Sequence, residues 1–207
     1  MSEYLPLFPL NVVLFPEMVL PLHIFEQRYK EMIAECLQEN SPFGVLYAPD
    51  DKGAMIGCTA EISQVLKQYP DGRLDLVAVG RKRFQVSFFD SEKTYLRASV
   101  ELLPDQVGAQ EPSENLVRQA LGLYAQASRL MGDDNPGEFS PESSLQGLAF
   151  KLASSLHLQN EVRQRILEAR WEGQRLEELT EHLSALIPLL TERQESVKRA
   201  GSNGRMH

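Results

Sequence analysis

The sequence predicts an α+β protein in which a strand-rich N-terminal half precedes an all-helical C-terminal half. Apolar and polar residues alternate in several runs of the first half, whereas in the second half apolar residues recur every three or four positions. The stretch Pro104–Pro112 has the composition of a linker and separates the two patterns. Because runs of strands precede runs of helices, we predict a β-rich subdomain at 1–104, a helical subdomain at 113–197 and a polar tail at 198–207.

Three short apolar runs open the chain, and prolines punctuate each of them. The runs are Leu5–Leu10, Val12–Phe15 and Val19–Leu22, and the prolines include Pro9, Pro16 and Pro21. Proline has no backbone N–H, so strands that contain it lie at sheet edges, strand ends or bulges. We therefore predict three short strands at the rim of a small barrel.

A helix follows, because the apolar spacing changes after Leu22. The residues on its apolar face are Phe25, Tyr29, Met32, Ile33, Cys36 and Leu37. We expect the helix to end at Asn40, before Pro42. Glu26, Arg28 and Tyr29 stand at its start, where we predict structural pairing and no catalytic role.

The rest of the first half reads as antiparallel strands. The predicted strands are Phe43–Ala48, Ile56–Tyr69, Leu74–Val79, Phe84–Phe88 and Leu96–Leu102. Pro70-Asp71-Gly72 is a strong turn signal and predicts a hairpin. Gly57 indicates a bulge or a close backbone approach, and Gly80 indicates a break.

The second half contains four helical signals. Apolar stripes run from Leu116 to Met131, from Leu145 to Leu156 and from Leu176 to Leu190. Ser140-Pro141-Glu142 has the pattern of a helix start, and Asn160 is placed to cap a short helix. Pro188 should kink the last helix.

Composition limits the class of function. The chain has 207 residues and a formal net charge of −8, which disfavours binding to a phosphate backbone. Its apolar runs are too short to cross a bilayer, and a signal peptide is not indicated. The two cysteines, Cys36 and Cys58, predict buried free thiols rather than a disulfide framework. These features favour the cytoplasm.

No motif indicates catalysis, a metal or a cofactor. The sequence lacks a phosphate-binding loop, a Gly-x-Ser-x-Gly elbow, His-Glu-x-x-His and Cys-x-x-Cys. Arg81-Lys82-Arg83 is the one tight basic cluster. We interpret it as a solvated strand start with one arginine turned inward to a carbonyl or carboxylate; contact with nucleic acid or an acidic peptide is the alternative.

The run PLFPLNVVLFP followed by LPLHIFEQRY resembles the opening of the N-terminal, substrate-recognition domain of the Lon ATP-dependent proteases. The likeness continues at Gly57–Ile62, Pro70–Arg73, Gly80–Phe84 and Tyr95–Glu101. The matched residues are Pro9, Pro16, Pro21, Phe25, Glu26, Arg28, Tyr29, Gly57, Asp71, Gly72, Gly80, Arg83, Phe84, Ala98 and Glu101. They are mainly structural. The resemblance implies a PUA-like β pseudo-barrel followed by an α-helical bundle.

The resemblance also implies a function. The sequence stops before the ATPase and serine–lysine peptidase modules of Lon proteases, so we expect a stand-alone, non-catalytic domain that recognises unfolded or damaged polypeptides in protein quality control. A protease or chaperone is the implied partner enzyme, and weak self-association stays open. Phe8, Phe15 and Met18 are the candidate polypeptide-binding residues if a small barrel leaves them outside; the alternative is that all three belong to the core.

Two other classes of function stay open at this stage. PUA-like barrels also occur in RNA-binding proteins, and a contiguous basic groove would favour that function. A small-molecule site inside the barrel is the third class, and a deep cavity with converging polar groups would favour it.

Overall fold

The structure is a computed structural model that describes residues 4–49, 53–105, 111–132, 139 and 145–203, the last seven of these by their backbone alone. The chain divides into two compact units, 1–105 and 106–207. The described residues form six strands and five helices. The mixed α+β composition predicted from the sequence is therefore confirmed.

The first unit contains all six strands and one helix. These are β1 (Leu5–Leu10), β2 (Val19–Ile24), α1 (Gln27–Glu39), β3 (Phe43–Tyr47), β4 (Ile56–Gln68), β5 (Leu74–Asp90) and β6 (Arg97–Leu102). The strand order is β2-β5-β4-β3-β1-β6, and a further pairing joins β5 to β6. The sheet thus closes on itself through the long strand β5, with β2 attached outside the ring. The pairing of β1 with β3 is parallel, and the other pairings are antiparallel.

Helix α1 supplies one wall of a core cluster in the first unit. Its buried residues are Tyr29, Met32, Ile33 and Cys36, which lie at helical spacing and pack against apolar residues of the strands, among them Phe43, Leu76 and Ala78. Asn40 ends the helix with φ = 47°, the left-handed conformation that commonly terminates helices. The predicted end is confirmed.

The apolar face predicted for α1 includes one residue at each end that is exposed in the structure. Phe25 precedes the helix and is 60% exposed, while Leu37 is 42% exposed. Both residues fit the periodicity, but Phe25 lies outside the helix because Glu26 is its extended N-cap residue, with φ = −71° and ψ = 137°.

Two predictions near Gly80 are wrong. Val12–Phe15 is a buried loop and not a strand, and β5 continues through Gly80 without a break. The cause is a close crossing: a Cβ atom at Gly80 would lie 2.1 Å from the carbonyl oxygen of Phe15. The backbone at Gly80 also bonds to the residues after this loop, at Glu17 and Met18. The glycine therefore marks where the loop passes over the strand.

The β4–β5 hairpin forms as predicted. Gly72 has φ = 81°, and its N–H donates to the carbonyl oxygen of Tyr69 at 3.0 Å. Gly57 is a close approach, since an added Cβ would lie 2.3 Å from the carbonyl oxygen of Val45. A register shift falls just after it, between Cys58 and Ala60.

The described part of the second unit is helical. It contains α2 (Glu114–Leu130), α3 (Leu148–Ser155), α4 (Asn160–Glu168) and α5 (Glu172–Asn203), and the first three all contact α5. The N-cap Ser113 accepts the N–H of Leu116. The predicted helix start at Ser140-Pro141-Glu142 lies outside the described residues. Asn160 is the first residue of α4 rather than its cap, which is Gln159. Helix α5 contains Pro188 and includes the first residues of the predicted tail.

A buried ion pair within α5 also connects this helix to α3. The Arg175 side chain is 1% exposed and donates to Glu172 at 3.0 Å, while its guanidinium lies 4.5 Å from the Phe150 ring centroid. Glu172 in turn accepts the N–H groups of Ala149 at 2.6 Å and Gly147 at 3.2 Å. One carboxylate therefore neutralises the arginine and satisfies the N-terminus of α3.

Candidate functional site

Two of the three predicted polypeptide-binding residues are inside the protein. Phe15 is fully buried and Phe8 is 7% exposed, with its ring 4.2 Å from the Tyr29 ring. Met18 is partly buried against the core cluster that α1 borders. The alternative that these residues are core is therefore correct for Phe8 and Phe15, and the accessible apolar surface lies elsewhere.

An exposed apolar surface covers the outer side of β2 and the neighbouring part of β5. We call it the β2 face and define it by Val19, Pro21, His23, Phe25, Val77 and Val79. Val19 is opposite Val79 and Pro21 is opposite Val77 in the antiparallel register, so the four side chains share one side of the sheet. Val19 is 56% exposed and Phe25 is 60% exposed. The face is apolar although it lies opposite the packed core.

The backbone of β2 has one unpaired edge among the described residues. The N–H of Gly80 donates to the carbonyl oxygen of Met18 at 2.9 Å, so Met18 points its backbone toward β5. Backbone direction alternates along a strand. Val19, Pro21 and His23 therefore point their backbone groups toward the open edge. Pro21 lacks an N–H, so this edge offers acceptors at three positions but donors at only two.

A polar cluster fixes the end of the β2 face. The Nδ1 atom of His23 lies 2.5 Å from Asp75 Oδ1, and the hydroxyl of Tyr69 donates to Asp75 Oδ2 at 2.8 Å. These hydrogen bonds, the one from His23 first, hold the pKa of Asp75 below its ordinary value. His23 also stacks on Phe25, with 6.0 Å between ring centroids. The exposed Phe25 ring is thereby held beside β2.

The basic cluster is neutralised by acids of its own unit. Arg81 bonds to Glu61 at 2.8 Å and to Glu17 at 3.3 Å, and the buried Arg83 bonds to Asp105 at 3.0 Å. The prediction that one arginine turns inward to a carboxylate is confirmed. Two of the three cations are already paired, so the cluster has little charge left for a phosphate backbone.

The other matched motif residues have local structural contacts. Arg28 pairs with Glu26 at 2.8 Å and lies over the Tyr29 ring, and Asp71 accepts from Arg73 within the hairpin turn. Phe84 and Ala98 are buried between β5 and β6. Pro9 lies in β1, Pro16 in the turn before β2, and Glu101 is exposed on β6. Of the matched residues, only Pro21 and Phe25 belong to the β2 face.

The described part of the chain contains no reactive cysteine, no metal site and no helix suited to span a membrane. Burial raises the pKa of Cys36 to about 11 and that of Cys58 to about 12, so both thiols are protonated at neutral pH. No group of three or more histidine, cysteine or acidic residues among those described is placed to hold a metal ion. None of the described helices has the length and apolar character needed to span a membrane.

The sequence contains one indication of the β2 face, namely apolar residues at outward positions of β5. In Leu74–Val79, the inward residues Leu74, Leu76 and Ala78 alternate with Asp75, Val77 and Val79, so the outward set also contains two valines. A strand with water on one side ordinarily alternates apolar with polar residues. Outward valines beside an edge strand therefore predict an exposed apolar surface.

An exposed sheet edge is a backbone surface to which an extended peptide can add a strand. A sequence model of the ATP-dependent protease La (LON) substrate-binding domain matches residues 4–185 of this chain. The chain belongs to this family of Lon substrate-binding domains.

Individual relatives agree with the family. A Lon protease of Endomicrobium trichonymphae is 28% identical over 198 residues, which cover 89% of this chain and 25% of the relative. Lon protease 2 of Myxococcus xanthus is 33% identical over 130 residues, which cover 58% of this chain and 15% of the relative. The chain thus spans about a quarter or less of the length of these relatives.

Two solved structures share the fold. The crystal structure of a Lon N-terminal domain protein from Xanthomonas campestris superposes with a TM-score of 0.66 at 28% identity, covering 85% of this chain and 96% of that one. The N-terminal domain of the Mycobacterium avium complex Lon protease gives a TM-score of 0.65 at 18% identity, covering 88% and 98%. The second likeness is one of fold alone.

Proposed function

We propose that this protein binds exposed apolar segments of unfolded or damaged polypeptides through the β2 face, as a recognition module in protein quality control. The observation that carries the proposal is the juxtaposition of four aliphatic side chains, the exposed Phe25 ring and the unpaired edge of β2. The aliphatic face favours apolar segments of any sequence. The edge adds main-chain hydrogen bonds that do not depend on sequence.

Charge supports the same assignment. The chain is acidic overall, but the aliphatic residues of the β2 face carry no charge. Binding to these residues therefore does not depend on attraction between opposite charges, which would also draw in folded proteins. Unfolded chains differ from folded ones mainly in exposed apolar surface and unpaired backbone, and those are the two groups that the β2 face offers. Recognition of this kind is weak at each contact and tolerant of sequence.

The test is a titration of the full chain with reduced, alkylated α-lactalbumin and with the native form of the same protein, at low and high ionic strength. We expect binding to the unfolded form only, with little change at high salt, because screening weakens charged contacts and not apolar ones. Fluorescence anisotropy of the labelled client measures the affinity. Equal binding of both forms, or loss of binding at high salt, would contradict the proposal.

Variants locate the binding surface in the same titration. The double substitution Val19→Ser with Phe25→Ser removes two exposed side chains and should weaken binding about tenfold or more. Leu37→Ser and Leu189→Ser are matched controls, because these leucines are also exposed (42% and 62%) but lie on α1 and α5. Loss of affinity in the controls with none in the double variant would place recognition elsewhere.

A delivery role follows from the proposed binding. In this role the protein passes its bound client to a protease or chaperone. Capture of such an enzyme by the full chain only when an unfolded client is present would support this adaptor role. Capture that is equally strong without a client would contradict it.

A further inference from the structure

An open cleft of about 610 Å³ lies within the helical unit, and its lining includes no residue of the β2 face. The end of α2, the connection between α3 and α4, and the middle of α5 form its walls. This volume is within the range of sites for small ligands. We call it the helical cleft.

The cleft has an apolar floor. Leu158 is buried, and Leu130, Leu186 and Leu190 are partly buried where they line the cleft. Along α5 the lining residues His182, Leu186, Leu190 and Arg193 follow one another at spacings of four, four and three, which places them in one stripe of the helix. The helical rise separates the first from the last by about 16 Å.

The polar residues that line the cleft are two histidines, two glutamines and Arg193, without an acid. Arg193 stands at one end of the stripe, His182 at the other, and His157 lines the opposite wall. Within the part of the chain that the structure describes, none of these three side chains forms a hydrogen bond or an ion pair. Gln194 is different, since its amide donates to the carbonyl oxygen of Leu130 at 3.0 Å.

Arg193 has no carboxylate at the positions of its own helix from which an ion pair forms. Three and four residues away stand Leu189, Leu190, Ser196 and Val197. Glu192 and Glu195 stand one and two residues away, where side chains on a helix do not face each other. Burial and the nearby Arg165 lower the pKa of His182, so this imidazole is neutral at pH 7 and donates without adding charge. An unpaired guanidinium beside leucines matches a ligand with one anionic end and an apolar body.

We infer that the helical cleft binds an amphiphilic monocarboxylate, with its carboxylate on Arg193 and its apolar chain along Leu186 and Leu190. A free medium-chain carboxylic acid and the apolar C-terminal end of a peptide share this chemistry. Leu186, Leu190 and Arg193 lie beyond residue 185, the last residue that the family model matches.

Calorimetric titration of the full chain tests the inference. Decanoate should bind saturably with one molecule per chain, and 1-decanol, which lacks the charge, should bind about tenfold more weakly. Arg193→Gln and Leu186→Ser should each weaken decanoate binding by a similar factor. Leu189→Ser, on an exposed side of the same helix, should leave it unchanged.

A second arm distinguishes the two sources. Binding of an apolar pentapeptide with a free carboxylate but not of its amide, with the same loss in Arg193→Gln, would identify chain ends as ligands. Binding of decanoate alone would identify a free amphiphile. Amide chemical shifts of the unmodified protein should change along residues 182–194 in either case. Absence of saturable binding, insensitivity to both substitutions, or shifts confined to the β unit would overturn the inference. Binding to the β2 face itself is tested separately by the unfolded client.

Discussion

At the scale of single residues, Gly80 makes the closest backbone approach among the described glycines. Gly80→Ala would place a methyl group 2.1 Å from the Phe15 carbonyl oxygen and 3.0 Å from its carbon. Backbone atoms cannot turn aside as a flexible side chain does, so we expect a loss of about 2–3 kcal/mol in the free energy of unfolding, or more. Urea denaturation followed by circular dichroism measures it.

Gly122→Ala is the matched control for that substitution. Gly122 lies inside α2, and an added Cβ meets nothing within 4 Å. Alanine has the higher helix propensity, so this variant should be more stable by about 0.5–1 kcal/mol. Equal destabilisation by the two alanine substitutions would show that the crossing at Gly80 is not the cause.

The buried Arg175–Glu172 pair supports a second residue-scale prediction. Arg175→Met leaves the carboxylate buried and uncompensated, which should cost about 3–5 kcal/mol. The double variant Arg175→Met with Glu172→Gln should recover part of this loss, because the glutamine amide keeps an acceptor for the α3 amides without a charge. Arg165→Met is the control: its ion pair is 53% exposed on the arginine side, and surface pairs contribute about 1 kcal/mol or less.

Residue patterns also explain which sequence-based predictions succeeded. The turn at Gly72 and the left-handed Asn40 follow from local backbone preferences, so the sequence alone was sufficient. The sequence did not show whether Phe15 and Phe25 are buried, because both are apolar aromatic residues next to short elements. Whether such a ring is buried depends on contacts between segments distant in sequence, and here Phe15 crosses Gly80 while Phe25 rests on His23.

At the scale of elements, Pro21 makes the open edge of β2 less able to pair with another strand. Its missing N–H lies on the edge that a second chain would pair with, a common protection against edge-to-edge association. Pro21→Val restores that donor and a strand-favouring side chain, so we expect stronger self-association, measured as a rise in weight-average mass by sedimentation. An unchanged mass at high protein concentration would contradict the assignment of this edge as the accessible one.

Because of the His23–Asp75–Tyr69 cluster at the end of β2, we expect the stability of the protein to depend on pH. The folded-state pKa of Asp75 is depressed, first by the His23 hydrogen bond and then by Tyr69. A depressed carboxyl pKa contributes stability above the ordinary value of about 4, and that contribution is lost as the pH falls through the folded-state value. Asp75→Asn should therefore lower stability at pH 7, with the difference from wild type narrowing below pH ~4. A difference that is constant from neutral to acidic pH would contradict this.

At the scale of the whole molecule, the chain consists of two compact units, 1–105 and 106–207. The sequence located the change from strands to helices, because the period of the apolar pattern changes there. A barrel was expected, but the sequence did not reveal that β5 and β6 close it or that the Val12–Phe15 loop crosses β5. Those features depend on strand pairing between distant segments, for which one sequence contains no local signal. Residues 1–105 and 106–207, expressed separately, should each unfold in one cooperative transition on heating.

The central claim is that unfolded polypeptide binds the β2 face, and hydrogen exchange tests it most directly. The full chain is exchanged with and without saturating reduced, alkylated α-lactalbumin, and protection is followed by mass spectrometry. An added strand covers the amides of Val19 and His23, so the account predicts slower exchange in the peptide spanning Val19–Ile24 and no change along α5. Unchanged exchange in β2 with new protection confined to the helical unit would contradict it.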